Sequence, residues 1–287
     1  MSRVLIALMR ALSYLPLRWV RALGHGLGQL LWWFAHSRKA VVLRNLALCF
    51  PDMSERQRRD LAHRHFVCLG QSLLDRSWLW HAPLAVTRSR LHWSGPVELL
   101  RPSDPLVVFA PHFVGLDAGG MALSLVSSTP VAFIFARQSS PELDAWMRQG
   151  RERGGNARPF FRHEGIRQIV SSLRKGEKLH LSPDMDLGPK ESIFVPFMGV
   201  DAATVPSLSR LARLGGARVL PMITRMTPEG YTIEVGELMA DFPSADAVAD
   251  TARMNQLLAR YISTMPEQYY WVHKRFKTRL EGEPSVY

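Results

Sequence analysis

A continuous apolar segment that stops at a polar turn is the feature that most constrains the fold of this chain. Residues 106–110 read Leu-Val-Val-Phe-Ala, and Pro111 and His112 follow directly. Such a run is typical of a strand buried on both faces of a parallel sheet. Residues 114–126 are apolar and rich in Gly and Ala, which indicates a helix packed closely on that sheet. His112 therefore belongs at the carboxyl end of a strand, where open α/β sheets place their ligands.

Strand and helix patterns alternate through the rest of the chain after Pro83. We expect further strands at 131–136, 178–182, 219–224 and 231–235, and helices at 141–153, 164–175, 205–214 and 245–265. Before Pro83 the pattern is helical, with a capping box at residues 54–57. The sequence therefore predicts an α/β fold with a mostly parallel central sheet flanked by helices.

The first 35 residues are apolar but interrupted by arginines. Their longest uninterrupted part, residues 22–35, is shorter than the ~20 residues that span a bilayer. Interspersed Trp and Arg are typical of a helix in a membrane interface, and Gly24 and Gly28 indicate close packing against another helix. We expect a membrane-anchoring or interfacial segment at 1–35. A single α/β domain at 36–287 follows, helical to about residue 82. A core helix is the alternative for the first segment.

The charge of the chain predicts an anionic partner. The net charge is +11 and the isoelectric point is about 10.2. Nucleic acid, a membrane surface, a phosphorylated lipid and an acidic carrier protein all fit such a charge. The two cysteines have no zinc-site spacing, and we expect free thiols.

His112 and Asp117 are the first candidate catalytic residues. A histidine with a nearby carboxylate on a strand-to-helix turn is suited to act as a general base on a hydroxyl. The backbone N–H groups of that turn are suited to stabilise an oxyanion. The spacing alone is weak, since roughly one such match per chain of this composition arises by chance. A strand-end histidine satisfied by the backbone is therefore the alternative.

Two further polar groups follow predicted strands. Arg137 ends the second strand, and its guanidinium is suited to bind phosphate or carboxylate. After the third strand, Asp184, Asp186, Gly188 and Lys190 form a polar loop that fits a metal, a sugar or a simple Asp-rich turn. No Cys or His accompanies this loop, so no metal site is predicted.

Several short segments then occur in a characteristic order. They are residues 44–46, 49–51, 112–117, 137, 183–189, 194–197, 202–204 and 266–279. Together they resemble the lipid A late acyltransferases, the lauroyl/myristoyl transferase family of Gram-negative bacteria within the lysophospholipid and glycerolipid acyltransferases. Many of its lipid A members carry Glu where this chain has Asp117. Pro111 and the 184–188 loop differ from the glycerolipid branch, which favours lipid A as the acceptor.

The resemblance implies transfer of a fatty acyl chain from acyl carrier protein to the hydroxyl of a hydroxyacyl chain on a lipid A precursor. His112 would be the general base and Asp117 would hold its imidazole. The backbone of Phe113, Val114 and Gly115 would hold the oxyanion.

The resemblance also implies the partners and the location. Arg137, Asp184, Asp186, Gly188 and Lys190 would bind substrate, with no metal and no cofactor. The partners would be acyl carrier protein, the lipid A precursor and an anionic membrane surface at the cytoplasmic face of the inner membrane, and not nucleic acid. A lysophospholipid or other lipid acyltransferase is the alternative enzyme, and a basic membrane- or nucleic-acid-binding protein is the non-enzymatic one.

Overall fold

A computed structural model describes residues 2–138, 140–161 and 165–287. The helices are α1 (Ser2–Leu12), α2 (Leu17–Phe34), α3 (His36–Cys49), α4 (Glu55–His81), α5 (Leu84–Ser89), α6 (Leu116–Val126), α7 (Pro141–Glu152), α8 (Ile166–Arg174), α9 (Ser207–Gly215) and α10 (Ala247–Thr264). The strands are β1 (Leu91–Ser94), β2 (Leu106–Phe109), β3 (Val131–Phe135), β4 (Ala157–Phe161), β5 (Lys178–Leu181), β6 (Ile193–Phe197), β7 (Val200–Thr204), β8 (Arg218–Thr227) and β9 (Gly230–Val235).

Seven strands form one sheet in the order β1-β9-β8-β2-β5-β3-β4, and β6 and β7 form a separate antiparallel hairpin. All neighbouring strands of the large sheet run parallel except β8 and β9. The α/β prediction is therefore confirmed. The carboxyl ends of β2 and β5 lie side by side, because Leu106 pairs with Lys178 and Phe109 pairs with Leu181.

Every predicted strand is present, but the sequence pattern did not predict β1, β4, β6 and β7. All four are short, and β4 and β6 contain Pro159 and Pro196, which weaken a strand pattern. Glu164, the predicted start of the helix before β5, lies outside the described residues, and α8 begins at Ile166.

Apolar side chains of β2 fill the core on both faces of the sheet. Val107 and Phe109 join a cluster with α3, α9 and α10, and Leu106 and Val108 join a second cluster with α6 and the N-terminal helices. Successive side chains of a strand alternate between faces. An uninterrupted apolar run therefore requires helices on both sides, as the sequence predicted.

The predicted close packing of the N-terminal glycines is confirmed. α2 packs along α4, and a Cβ at Gly28 would lie 2.5 Å from the carbonyl oxygen of Phe66. Gly70 faces the α2 backbone in the same way, at 2.4 Å from the Gly24 carbonyl oxygen. Arg21 of α2 also pairs with the buried Asp75 of α4 at 2.9 Å. These contacts therefore hold α2 against α4.

The outer side of α1 and α2 carries large apolar side chains in solvent, here called the apolar N-terminal face. Its members are Val4, Leu5, Leu8, Trp19, Leu23, Leu30, Trp33 and Phe34. Among the described helices, none combines the length and apolarity needed to cross a bilayer.

The α2–α4 contact yields a stability prediction. Gly28→Ala should lower the free energy of unfolding by about 1–3 kcal/mol, because the added methyl group meets backbone atoms of α4. Gly26→Ala is the control, since a Cβ there meets no neighbour within 4 Å. The control should raise stability by up to ~1 kcal/mol through helix propensity. Urea unfolding of both variants measures the difference, and equal effects would contradict the close contact.

Candidate active site

The site begins where β2 and β5 end. Ala110 continues β2 for one residue by donating its N–H to Leu181 at 2.9 Å, and His112 follows two residues later. Asp184 comes three residues after the end of β5. Because β2 and β5 are parallel neighbours, both polar residues emerge at the same sheet edge.

His112 and Asp184 form a hydrogen-bonded pair at this edge. The Nδ1 of His112 lies 2.8 Å from the Oδ1 of Asp184, and the backbone N–H of His112 donates to the Oδ2 at 3.1 Å. The imidazole is about 22% exposed and the carboxylate about 1%. An ionised carboxylate only accepts hydrogen bonds, so Nδ1 carries the hydrogen and Nε2 keeps its lone pair. This is the arrangement of a general base held by a carboxylate.

The charge state of Asp184 follows from its surroundings. Burial disfavours the carboxylate, but the nearby charge and the hydrogen bonds of His112 outweigh that cost and keep the pKa of Asp184 below its usual value. Asp184 therefore remains ionised near neutral pH and stabilises a protonated imidazole.

The prediction that Asp117 holds the imidazole is wrong in this structure. The two oxygens of Asp117 accept hydrogen bonds from Arg76 Nε at 2.9 Å and Arg151 Nε at 3.0 Å. Burial opposes ionisation of Asp117, but the two guanidinium groups hold its pKa far below the usual range. Asp117 lies in the first turn of α6, between α4 and α7, whereas the Nδ1 of His112 faces the loop after β5. Asp117 thus joins three helices.

The predicted oxyanion donors are also partly corrected. Phe113 donates its N–H to Pro111 at 2.8 Å, and Val114 donates to Gln268 at 2.8 Å. Neither backbone group is available to a substrate in this arrangement. Gly115 lies at the N-terminal cap of α6, where a side chain would meet Thr224 and Tyr231 at about 3 Å.

The polar loop after β5 divides into residues with different roles. Asp184 contacts His112, while Asp186 is buried and accepts from the backbone N–H of Thr278 at 2.6 Å and from its hydroxyl at 2.8 Å. Gly188 donates to Asp186 at 2.9 Å and has a φ of +102°, a conformation that favours glycine. These contacts give Asp186 a structural role, and its role in substrate binding stays a prediction.

Two predicted substrate-binding cations lie at the surface. Lys190 is exposed in a short 3₁₀ turn, and Arg137 is exposed in the segment that follows β3. β5 lies between β3 and β2. Arg137 and His112 therefore follow strands that end at the same sheet edge and lie two strand spacings, about 10 Å, apart. The strand that Arg137 follows is thus not a direct neighbour of the strand that His112 follows.

The carboxyl-terminal segment, residues 266–279, packs against the site, a position that its sequence pattern did not predict. Tyr269 donates its hydroxyl to Asp184 at 3.1 Å, and Tyr270 donates its N–H to the carbonyl of His112 at 2.9 Å. His273 accepts from the backbone N–H of Asp186 at 3.0 Å. These contacts join positions 85 to 158 residues apart in the sequence, so no local sequence pattern predicts them.

Two buried histidines, His65 and His180, and the half-buried His273 have lowered pKa values. Burial lowers the pKa of His180 to about 3, and those of His65 and His273 to about 4. All three are therefore neutral in the folded protein at neutral pH. Within residues 2–138, 140–161 and 165–287, no group of three or more Cys, His, Asp or Glu is arranged to hold a metal ion.

A parallel sheet with a carboxylate-held histidine at its strand ends defines an α/β enzyme equipped for base catalysis. Comparison with known proteins gives the family. Residues 2–278 match the bacterial lipid A biosynthesis acyltransferase family. The chain therefore belongs to that family and is an acyltransferase, which confirms the resemblance.

Individual relatives support the same family. The lipid A biosynthesis lauroyltransferase of Escherichia coli K12 is 32% identical over 95% of this chain and 90% of its own length. The palmitoleoyltransferase of the same organism is 32% identical over 92% of this chain and 87% of its length. The myristoyltransferase of the same organism is 32% identical over 87% of this chain and 78% of its own length.

The lowered pKa values of these three histidines yield a pH prediction. Unfolded histidine titrates near 6.5, so between about pH 6.5 and 4 the unfolded chain binds protons that the folded chain does not. The free energy of unfolding should therefore fall as pH drops through this window, by up to ~1.4 kcal/mol per pH unit for each histidine. His180→Leu should reduce that slope between pH 6.5 and 5.

The control for this measurement is His25→Leu, at an exposed position of α2. Urea unfolding at several pH values measures the slope for both variants and the wild type. An unchanged slope in His180→Leu would contradict the neutral buried state of His180.

Proposed function

We propose that this acyltransferase moves a fatty acyl chain from acyl carrier protein to the hydroxyl of a hydroxyacyl chain on a lipid A precursor. Family membership supports lipid A as the acceptor class. The observation that carries the chemistry is the His112–Asp184 pair, because it leaves Nε2 able to take a proton from a hydroxyl.

The reaction follows from that geometry. Nε2 of His112 takes the hydroxyl proton as the acceptor oxygen attacks the thioester carbonyl and forms a C–O bond. Asp184 stabilises the imidazolium that results. The C–S bond then breaks, and the proton passes from His112 to the departing thiolate. A thioester is already activated, so this route requires neither a covalent enzyme intermediate nor a cofactor.

The oxyanion needs donors close to His112. We assign this role to the N–H of Gly115 at the N-terminal cap of α6, since N–H groups at the start of a helix lack intrahelical partners. The N-terminal end of the helix dipole also favours negative charge there.

Substitutions at the two aspartates test the assignment of the base. His112→Ala should abolish transfer, and Asp184→Asn should lower kcat by about 10- to 1,000-fold, because the imidazole loses its orienting carboxylate. Asp117→Asn should act mainly on stability, by weakening the pairs with Arg76 and Arg151. Steady-state kinetics with circular dichroism as the folding control separates these effects. A folded Asp117→Asn protein with the larger loss in kcat would contradict the assignment.

The basic surface has a role in acceptor capture in this proposal. Arg137 lies at the same sheet edge as His112, so its charge can interact with an acceptor phosphate or with the phosphopantetheine of the carrier. Lys190, in the loop after β5, is exposed at that edge as well. Exposed charges act through solvent and weaken with salt.

Arg137→Ala should lower kcat/KM about ten- to a hundredfold, the usual effect of losing one charge-assisted contact. The matched control is Arg174→Ala, at the end of α8 just before β5 begins and thus at the opposite edge. The measurement compares phosphorylated and dephosphorylated acceptors. If Arg137→Ala discriminates between them as strongly as wild type, Arg137 does not contact the acceptor phosphate.

The apolar N-terminal face suggests how the enzyme reaches a lipid acceptor. Its Trp and aliphatic side chains are exposed beside Arg3, Arg10 and Arg18, a pattern typical of helices that lie in an anionic membrane interface. We propose that this face docks the protein on the cytoplasmic face of the bacterial inner membrane, where anionic lipids attract a chain of net charge +11.

Removing two of the exposed rings tests this docking. The double variant Trp19→Ser/Trp33→Ser should lose most of its cosedimentation with vesicles containing anionic phospholipid. Val248→Ser is the control, because Val248 is also exposed but lies on α10. Equal cosedimentation of both variants in low and high salt would contradict docking through this face.

The alternative acceptor is a lysophospholipid, which the same base would acylate by the same steps. Parallel assays with lysophosphatidate and a lipid A precursor distinguish the two acceptors. The nucleic-acid-binding alternative is not retained, since the family is one of enzymes.

A further inference from the structure

Tyr269 contacts the carboxylate of the His112–Asp184 pair through its hydroxyl. Its hydroxyl donates to the Oδ2 of Asp184 at 3.1 Å, while the Oδ1 of Asp184 lies 2.8 Å from the Nδ1 of His112. The two carboxylate oxygens therefore bind two different side chains, with the tyrosine and the imidazole on either side of one carboxylate.

The backbone around Tyr269 holds the histidine side of the pair. Tyr269 forms an isolated antiparallel bridge with Phe113, the residue after His112. The next residue, Tyr270, donates its N–H to the carbonyl of His112 at 2.9 Å. One short segment thus touches Asp184 through a side chain and His112 through the backbone.

Packing leaves the Tyr269 ring little freedom. Its centroid lies 4.8 Å from that of Trp271, 5.7 Å from Phe113 and 6.0 Å from Phe197, and the residue is about 3% exposed. A buried hydroxyl requires a hydrogen-bond partner. Burial, together with the neighbouring Asp184 charge, raises the pKa of Tyr269 well above its ordinary value, so the hydroxyl stays protonated and donates.

We propose that Tyr269 is a positioning residue that fixes the orientation of Asp184 and weakens the attraction of this carboxylate for the protonated imidazole. This role rests on the proposed function. A hydrogen bond to Oδ2 draws negative charge toward the tyrosine, so less remains to stabilise a proton on His112. The same bond prevents rotation of the carboxylate away from Nδ1.

Other charged or titratable groups lie near the pair, near Tyr269 or near the neighbouring histidines. His180 on β5 and His273 in the carboxyl-terminal segment interact with the pair itself. Asp117 and Arg151 act on His180, Cys49 on α3 acts on Tyr269, Asp186 acts on His273, and Arg275 acts on both Tyr269 and His273. Burial lowers the pKa of His180 to about 3 and that of His273 to about 4, and it raises that of Cys49 to about 12. These three groups therefore do not titrate between pH 5 and 9.

Tyr269→Phe tests the proposal because it removes the hydroxyl and keeps the ring. We expect kcat to fall about tenfold with KM nearly unchanged. The acid limb of the pH profile of kcat/KM should move to higher pH by about half a unit, since Asp184 then holds the imidazolium more strongly. Tyr261→Phe is the matched control, because Tyr261 also packs against the core but does not contact His112 or Asp184. The control should keep the wild-type profile.

A tyrosine that acts only through packing would leave the acid limb in place. A loss of kcat without movement of the limb therefore overturns the proposal. Replacing Tyr269 by 3-fluorotyrosine gives a second variant of nearly the same shape, with a stronger donor. The limb should then move to lower pH, and a shift in the same direction as in Tyr269→Phe would also overturn the role.

An independent measurement separates this proposal from the proposed function. Nuclear magnetic resonance of ring-labelled histidine, with the His112 signal assigned from His112→Asn, follows the imidazole without any turnover. Its titration midpoint should rise in Tyr269→Phe and stay constant in Tyr261→Phe. Inactivity of the wild type with acyl carrier protein and lipid A precursor would refute the reaction. An unmoved midpoint would refute the role of Tyr269.

Discussion

The carboxylate of Asp184 is the group around which the active site is organised. Placing an ionised carboxylate in the protein interior is costly unless hydrogen bonds replace its water. Here the backbone and ring of His112 and the hydroxyl of Tyr269 replace that water. The same contacts that make the buried charge tolerable hold the imidazole in the tautomer that leaves Nε2 able to accept a proton. The stability of the site and its chemistry therefore depend on one group.

Other carboxylates join elements that are distant in sequence. Asp117 binds Arg76 and Arg151 and so connects α6 with α4 and α7. Asp186 binds Thr278 and connects the loop after β5 with the carboxyl-terminal segment. Removing a partner would leave the buried Asp186 or the half-buried Asp117 with part of its charge uncompensated. The ends of the strands are thereby held in a fixed arrangement around His112.

The N-terminal helices combine two physical demands in one segment. Their inner side packs on α4 through Gly24 and Gly28, where the helix backbones approach closely. Their outer side exposes aromatic and aliphatic groups. Exposed apolar area of this extent is unfavourable in water and favourable in a membrane interface, so one helix can be both part of the domain and a lipid-binding surface.

The sequence by itself determined the class of fold and the location of the base. The apolar run at 106–110 indicates a strand that is covered on both faces. The break at Pro111 then places His112 at the carboxyl end of that strand. The capping box and the glycines of α2 were likewise readable, because caps and close helix contacts leave local signatures. Only the tertiary structure decided which acid holds the imidazole. Asp117 is near His112 in sequence, yet the pairing of β2 with β5 brings Asp184 to it across 72 residues, and strand order is a non-local property. The contribution of Tyr269 depends in the same way on where the carboxyl-terminal segment closes over the sheet, and no spacing along the chain encodes that.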